Sequence, residues 1–206
     1  MLPEATDLPE PGTWTIDSGH STIGAVARHL MFTKVRGQFR SFQGAIHVER
    51  AIEDSRTELE IDTASIDTGN ADRDAHLRSP DFLDVERYPK ITFRSTQVER
   101  TGGNTLRVTG DLTIRDVTQS IDLDVTYEGL MADPWGGTRA GFELYGAIDR
   151  EAFGMTWNVA LETGGVLVSR NIDIEAEVQT VRQAADADRA NEAETELSEE
   201  EIARSA

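Results

Sequence analysis

Leu106-Arg107-Val108-Thr109-Gly110-Asp111-Leu112-Thr113-Ile114 sets an apolar or small residue at every second position and a polar one between. That period of two is the mark of a strand with one face on a core and the other in water. The pattern continues outward in both directions. Downstream, Ile121, Leu123, Val125 and Tyr127 alternate in the same way, and so, past an Asp133-Pro134-Trp135-Gly136-Gly137 turn, do Ala140, Phe142, Leu144, Gly146 and Ile148. Val166, Val168, Ile172, Ile174, Ala176 and Val178 form the last such series. Upstream, a Gly102-Gly103-Asn104 turn separates the first stretch from a strand over Lys90 to Val98.

The N-terminal half is also strand-rich, but it bends. Thr13 to Asp17 is a short strand, Asp17-Ser18-Gly19 a turn, and His20 to about Leu30 a longer strand. Ser21, Ile23, Ala25, Ala27 and His29 share one face of it, and Thr22, Gly24, Val26 and Arg28 the other. Val35, Gly37 and Phe39 alternate, then the phase slips at Arg40-Ser41 to Phe42, Gly44, Ile46 and Val48, as a β-bulge would cause. Arg56 to Ile66 slips likewise between Leu59, Ile61 and Ala64, Ile66. Bent antiparallel strands with little helix to cover a sheet predict closure. The fold class read here is all-β, one eight-stranded antiparallel barrel over residues 12–182, with a β-sandwich as the alternative.

One stretch breaks the alternation. Asp72 to Ser79 sets charged residues at adjacent positions, with Pro80 behind them, and predicts one short helix inserted between strands. In an all-β chain such an insertion covers a sheet end or a barrel mouth.

Arg73-Asp74-Ala75-His76-Leu77-Arg78-Ser79, Asp81-Phe82-Leu83-Asp84 and Tyr88-Pro89-Lys90-Ile91-Thr92-Phe93 resemble the signature of the YceI-like family, also called polyisoprenoid-binding proteins. Asp17, His20-Ser21 and Arg28-His29-Leu30 resemble its opening motif, and Gly110 to Ile114 and Phe153-Gly154-Met155-Thr156-Trp157-Asn158 extend the likeness over the whole of 12–182. Where that family often has an aromatic, this chain has Ala25. The resemblance implies a lipocalin-like barrel whose bore holds a long isoprenoid, such as a quinone or a polyprenyl phosphate.

Composition excludes several functions. With no cysteine there is no disulfide, thiolate metal site or cysteine nucleophile. A net charge of -18 repels nucleic acid and anionic bilayers alike, and fits solubility in a salt-rich or high-GC cytoplasm. No apolar run reaches the roughly 18 residues of a membrane span. The first residues show no basic region followed by an apolar run, so a cytoplasmic location is expected if Met1 is the true start. Residues 1–11 are read as a flexible lead, and 183–206, with eight acids against Arg189 and Arg204, as an acidic disordered tail. A homodimer is left open.

Catalytic and metal signals are weak. Asp72, Asp74 and His76 share a face only if the stretch is extended, and His20, His29 and His47 lack paired spacing, so no metal is assigned. No Gly-x-Ser-x-Gly occurs. Asp122 and Asp124 read as solvated, and Gly102-Gly103 and Gly164-Gly165 as turns. The inward series uses Ala and Gly (Ala25, Ala27, Gly37, Gly110, Ala140, Gly146, Ala176) where a filled bore would favour Leu and Phe, which predicts a cavity. With the family resemblance, the lining expected is Ile23, Ala25, Ala27, His29, Phe39, Ile61, Phe93, Leu123, Val125, Phe142, Leu144, Trp157, Val168 and Ile172. Arg28, Arg73, His76 and Arg78 are the head-group candidates, with Lys34 a further cation, because arginine offers a planar fork to an anion. Phe153, Met155 and Trp157 read equally as an entrance or as a plug. Two functions result: a non-catalytic carrier of a polyisoprenoid, or an enzyme at the mouth using His76 and Asp74 as acid and base. Inside the bore only His29 and Arg170 are expected to be polar, which favours the carrier.

Overall fold

The computed structural model describes residues 8–30, 32–134, 137–160 and 166–183. Eleven strands follow in order: β1 (Gly12–Ile16), β2 (Thr22–His29), β3 (Thr33–Phe39), β4 (Phe42–Val48), β5 (Arg56–Asp62), β6 (Ile66–Asp67), β7 (Lys90–Arg100), β8 (Thr105–Ile114), β9 (Val117–Ala132), β10 (Thr138–Asp149) and β11 (Asn171–Arg182). The helix α1 (Ala71–Arg78) stands between β6 and β7.

Three pairs of these strands are single barrel strands with a break in the middle. β1 and β2 both pair antiparallel with β11, on Thr180 to Arg182 and Asp173 to Glu177 respectively. β3 pairs with β2 and β6, and its continuation β4 with β1 and β5. Taken as continuous, β1–β2, β3–β4 and β5–β6 join β7 to β11 in a closed antiparallel barrel of eight strands.

The breaks are held by hydrogen bonds that carry the ladder across them. At Arg40-Ser41 the Arg40 N–H donates to Ser65 O at 3.1 Å, and Asp62 N–H to Ser41 O at 2.9 Å. Opposite, a single 3-10 turn over Thr63–Ser65 begins with Ala64 N–H donating to the Asp62 carboxylate at 3.0 Å. The two phase slips in the sequence are therefore one bend in two adjacent strands. Between β1 and β2 the Ser21 hydroxyl accepts from Gln179 N–H at 2.9 Å and donates to Asp17 O at 2.7 Å, standing in for missing backbone partners. Arg139 braces this corner from β10, donating to Asp17 Oδ2 at 2.6 Å and Gln179 Oε1 at 2.7 Å. The Arg139 guanidinium holds the Asp17 carboxyl down at about 2.

Strand direction puts β2's end, β10's end, β11's start and α1 at one end of the barrel, called here the α1 end. At the other, Trp14, Tyr127, Ala140 and Thr180 are all 2 % exposed or less and share the inward phase of their strands. They form a packed floor. The last strand begins at Asn171, later than the alternation from Val166 implied, because Val166 and Val168 make only isolated bridges, to Ala160 and His29.

Candidate ligand-binding bore

Above the floor the barrel is hollow. A cavity of about 780 Å³ runs from Pro9, Ile52 and Ser55 to the α1 end, walled mostly by apolar side chains. Among the small residues, Ala25, Ala27, Gly37 and Ala176 line it. Gly110, Gly146 and Ala140 do not, which corrects the reading of every small residue as open space. A Cβ on Gly110 would lie 2.4 Å from Phe93 Cζ, and one on Gly146 2.6 Å from Leu123 Cδ2. Those two glycines let large neighbours lie flat against the wall. Ala140, 1 % exposed, belongs to the floor.

Ile23, Ala25, Ala27, His29, Phe39, Ile61, Phe93, Leu123, Val125, Phe142, Leu144, Trp157, Val168 and Ile172 all stand on the wall of this cavity, as do Arg28, Arg73 and His76. Arg78 does not. Its guanidinium donates to Ala64 O at 2.7 Å and to Ile66 O, fastening α1 to the end of the β5–β6 strand. Arg170 is also off the wall, ion-paired at the surface with Asp149 at 2.6 Å.

The cover over the α1 end is built from the sequence inward. Asn70 caps α1 by accepting from Arg73 N–H at 2.9 Å, with Asp72 and Asp74 in the first turn, where the helix dipole favours them. The buried Asp74 carboxylate takes Thr68 N–H at 2.9 Å and the Thr68 hydroxyl at 2.6 Å. His76 Nε2 lies 2.9 Å from Asp81 Oδ2. Its ring meets Phe82 at 5.0 Å and Trp157 at 4.6 Å, both edge-on, so this cluster ties the helical segment to the connection between β10 and β11. Met155 lines the cavity with Trp157, while Phe153 is buried outside it, so these three divide between lining and packing. Among the described residues no three His, Cys, Asp or Glu gather as metal ligands, and no helix is long and apolar enough to cross a membrane.

Arg150 is a buried, charged wall residue that sequence reading missed. Only 2 % exposed, it continues the inward phase of Phe142, Leu144 and Ile148 one step beyond β10. Carrying that alternation two residues further would have found it. Its Nε donates to Ser169 O at 2.9 Å and Nη1 to Met155 O, while Nη2 has no hydrogen-bond partner among the described residues. Burial pushes the guanidinium down from the ordinary arginine value, against the opposing charges of Glu151 and Asp149.

A family model described as the YceI-like domain matches residues 14–180. Protein YceI of Escherichia coli O17:K52:H18 is 37 % identical over 165 residues, covering 80 % of this chain and 83 % of its own. A UPF0312 protein of Vibrio parahaemolyticus is 42 % identical over 124 residues, 60 % of this chain and 66 % of that one. In structure, BcnA of Burkholderia cenocepacia superposes with a TM-score of 0.68 at 25 % identity, over 80 % of this chain and 98 % of that one. A polyisoprenoid binding domain from Saccharophagus degradans shares the fold with a TM-score of 0.60 at 14 % identity, over 82 % and 98 %. With the model match running from the floor residue Trp14 to the floor residue Thr180, and so around the entire barrel, this chain belongs to the YceI-like family.

Proposed function

We propose that this chain is a non-catalytic carrier that holds a polyisoprenoid lipid in its bore. The observation that carries this reading is the cavity itself: about 780 Å³, apolar along its length, floored at one end and polar at the other. At roughly 30 Å³ per water-sized group the space takes on the order of 25 non-hydrogen atoms, about five isoprene units. The wall can strip such a chain of water, at about 0.8 kcal/mol per buried methylene, leaving its polar end beside Arg28, Arg73 and His76. The fold shared with the Saccharophagus degradans domain, which is named for binding polyisoprenoid, supports the same class of ligand.

The enzyme reading needs His76 and Asp74 to act together. Asp74 is instead committed to Thr68, and His76 to Asp81, Phe82 and Trp157, so the pair does not converge on one point of the bore. Mass spectrometry of an organic extract of the purified protein tests the proposal. A prenyl-chain lipid in stoichiometric amount is expected. A polar metabolite in its place would overturn it.

A further inference from the structure

The hairpin between β2 and β3 turns at the α1 end, and its tip differs from the rest of the surface in both polarity and charge. Phe32 N–H donates to His29 O at 3.1 Å to close the turn, and Leu30 N–H donates to Leu167 O at 2.9 Å, which ties the tip to the β10–β11 connection. Leu30 holds a φ of 51°, in the left-handed region where glycine or asparagine is favoured and a bulky side chain is strained. Burial does not offset that strain, because Leu30 is exposed and Phe32 is 84 % exposed. Val159, exposed as well, accepts at its carbonyl from Leu167 N–H and extends the apolar surface. Large apolar side chains thus face water where turn chemistry favours small polar ones.

Charge is reversed at the same place. Between Asp17 and Glu49 lies the longest acid-free stretch of a chain with 38 acids, and the hairpin arms within it carry Arg28, His29, Lys34 and Arg36, all exposed. Glu175 reaches Lys34 at 4.0 Å and Arg36 at 3.7 Å from β11, while no carboxylate pairs with Arg28 among the described residues. Arg28, His29 and Thr33 of these arms also line the bore, so the tip is continuous with its entrance. An apolar tip flanked by cations suits the interface of a bilayer, where aromatic and aliphatic groups enter the headgroup layer and cations meet phosphates.

We propose that the β2–β3 hairpin tip is a docking site for a lipid bilayer, with Leu30 and Phe32 entering the interface and Arg28, Lys34 and Arg36 resting against lipid phosphates. The inference rests on the lipid-carrier reading and goes beyond it by naming where the carrier meets the membrane from which its ligand comes. A net charge of -18 opposes approach from a distance, but in about 0.15 M salt each charge is screened over about 8 Å, so the bilayer meets mainly the cations of the tip. A second copy docked tip to tip would set these same cations against one another, which disfavours it as the occupant.

The test is flotation of the full chain with vesicles of phosphatidylcholine holding about one-fifth phosphatidylglycerol, in about 0.15 M salt. The unmodified chain should float with the vesicles, and the double variant Leu30→Asn, Phe32→Ser should partition about ten-fold or more weakly. Leu30→Asn alone suits the left-handed turn, so it should melt no lower than the unmodified chain while losing part of the partition, which separates lost docking from lost folding. Geranylgeraniol delivered from the same vesicles should load the double variant more slowly, in proportion to its weaker partition. Delivered from ethanol, it should load both proteins equally. No flotation of the unmodified chain, or equal flotation of chain and double variant, overturns the docking inference, and the carrier reading stands if geranylgeraniol from ethanol still binds. A dimer seen by light scattering without vesicles, and lost in the double variant, would show that a second copy covers the tip and overturns it too. If geranylgeraniol binds from neither source the carrier reading falls, while flotation still decides the docking.

Discussion

Replacing Ala25 by tryptophan tests whether the bore measures its ligand. Ala25 sits mid-wall, opposite Gly37 on one side and Ile174 on the other in the sheet register, and all three line the cavity. Tryptophan adds about nine non-hydrogen atoms to the alanine side chain, against the roughly 25 that the cavity accommodates. About a third of the space is then lost, from the middle of the path between mouth and floor. A ten-carbon prenyl ligand still fits above the new ring. A twenty-carbon ligand does not, and up to nine of its carbons are turned out, a ceiling of about 7 kcal/mol at 0.8 kcal/mol per methylene. Repacking recovers part of this, so the expected result is at least about hundred-fold weaker binding of the twenty-carbon ligand and less than about three-fold for the ten-carbon one. Calorimetric titration is the appropriate assay because the new tryptophan confounds fluorescence. Thr22→Trp, on the outer phase of the same strand, is the control. Identical chain-length profiles for the two variants would show that the wall is assigned to the wrong face or that no lipid occupies the bore.

His76→Ala removes two edge-on ring contacts of about 0.5–1.5 kcal/mol each, so ligand release followed by stopped flow should quicken by about five-fold, with no chemical turnover lost. Asp17→Asn takes away a carboxyl held at about 2 by Arg139; both side chains keep about a fifth of their surface in water (21 % and 22 %), so screening leaves a cost of about 1 kcal/mol near neutrality. Because the folded pKa is depressed below its ordinary 3.8, that contribution is complete above the ordinary value and fades as pH falls toward 2, so denaturant midpoints of the two proteins should converge at low pH. Gly110→Ala drives a Cβ to within 2.4 Å of the Phe93 ring and should lower stability by about 1–3 kcal/mol in urea unfolding, where a packed wall predicts a loss and an open one predicts none. A chain ending at Gln183 should melt within about five degrees of the full chain, since Leu197 and Ile202 are the only large aliphatics removed.

The barrel was legible because its signal is local. Alternation in Leu106 to Ile114 and its neighbours depends only on which face meets water, and the register that forms, Val108 against Leu123 and Phe93 against Leu112, follows from it. The breaks were legible as phase slips, though their nature was not. A slip at Arg40-Ser41 looks the same whether it is a bulge or a corner, and only the hydrogen bonds to Ser65 and Asp62 across the gap show that two strands bend together. Arg78 is off the cavity wall and Arg150 on it, the reverse of what the sequence suggests, for a similar reason. Arg78 stood in a motif full of charge and was read as a ligand, but helix geometry turns it onto two backbone carbonyls. Arg150 lay just past the last apolar residue of β10, where strand reading stops, although the inward phase does not. The acidic tail and Gly164-Gly165 lie outside the described residues.

What keeps this bore open is an asymmetry between its walls. Along β7 to β10 the inward positions hold Phe93, Leu106, Val108, Leu112, Leu123, Val125 and Phe142, all buried, and the glycines among them accommodate those side chains. Along β2, β3 and β11 the inward positions include Ala25, Ala27, Gly37 and Ala176, whose short side chains cannot reach across. A barrel of eight strands is just wide enough to be filled by side chains from all sides. With one wall large and the other carrying these small residues, the filling stops partway and leaves a cavity lined from both sides. The bends at Asp17 to Ser21 and Arg40-Ser41 fall in the strands of the small wall. Substitutions that widen or narrow the bore are therefore expected to act through β2, β3 and β11, while the same changes on β8 and β9 act on stability.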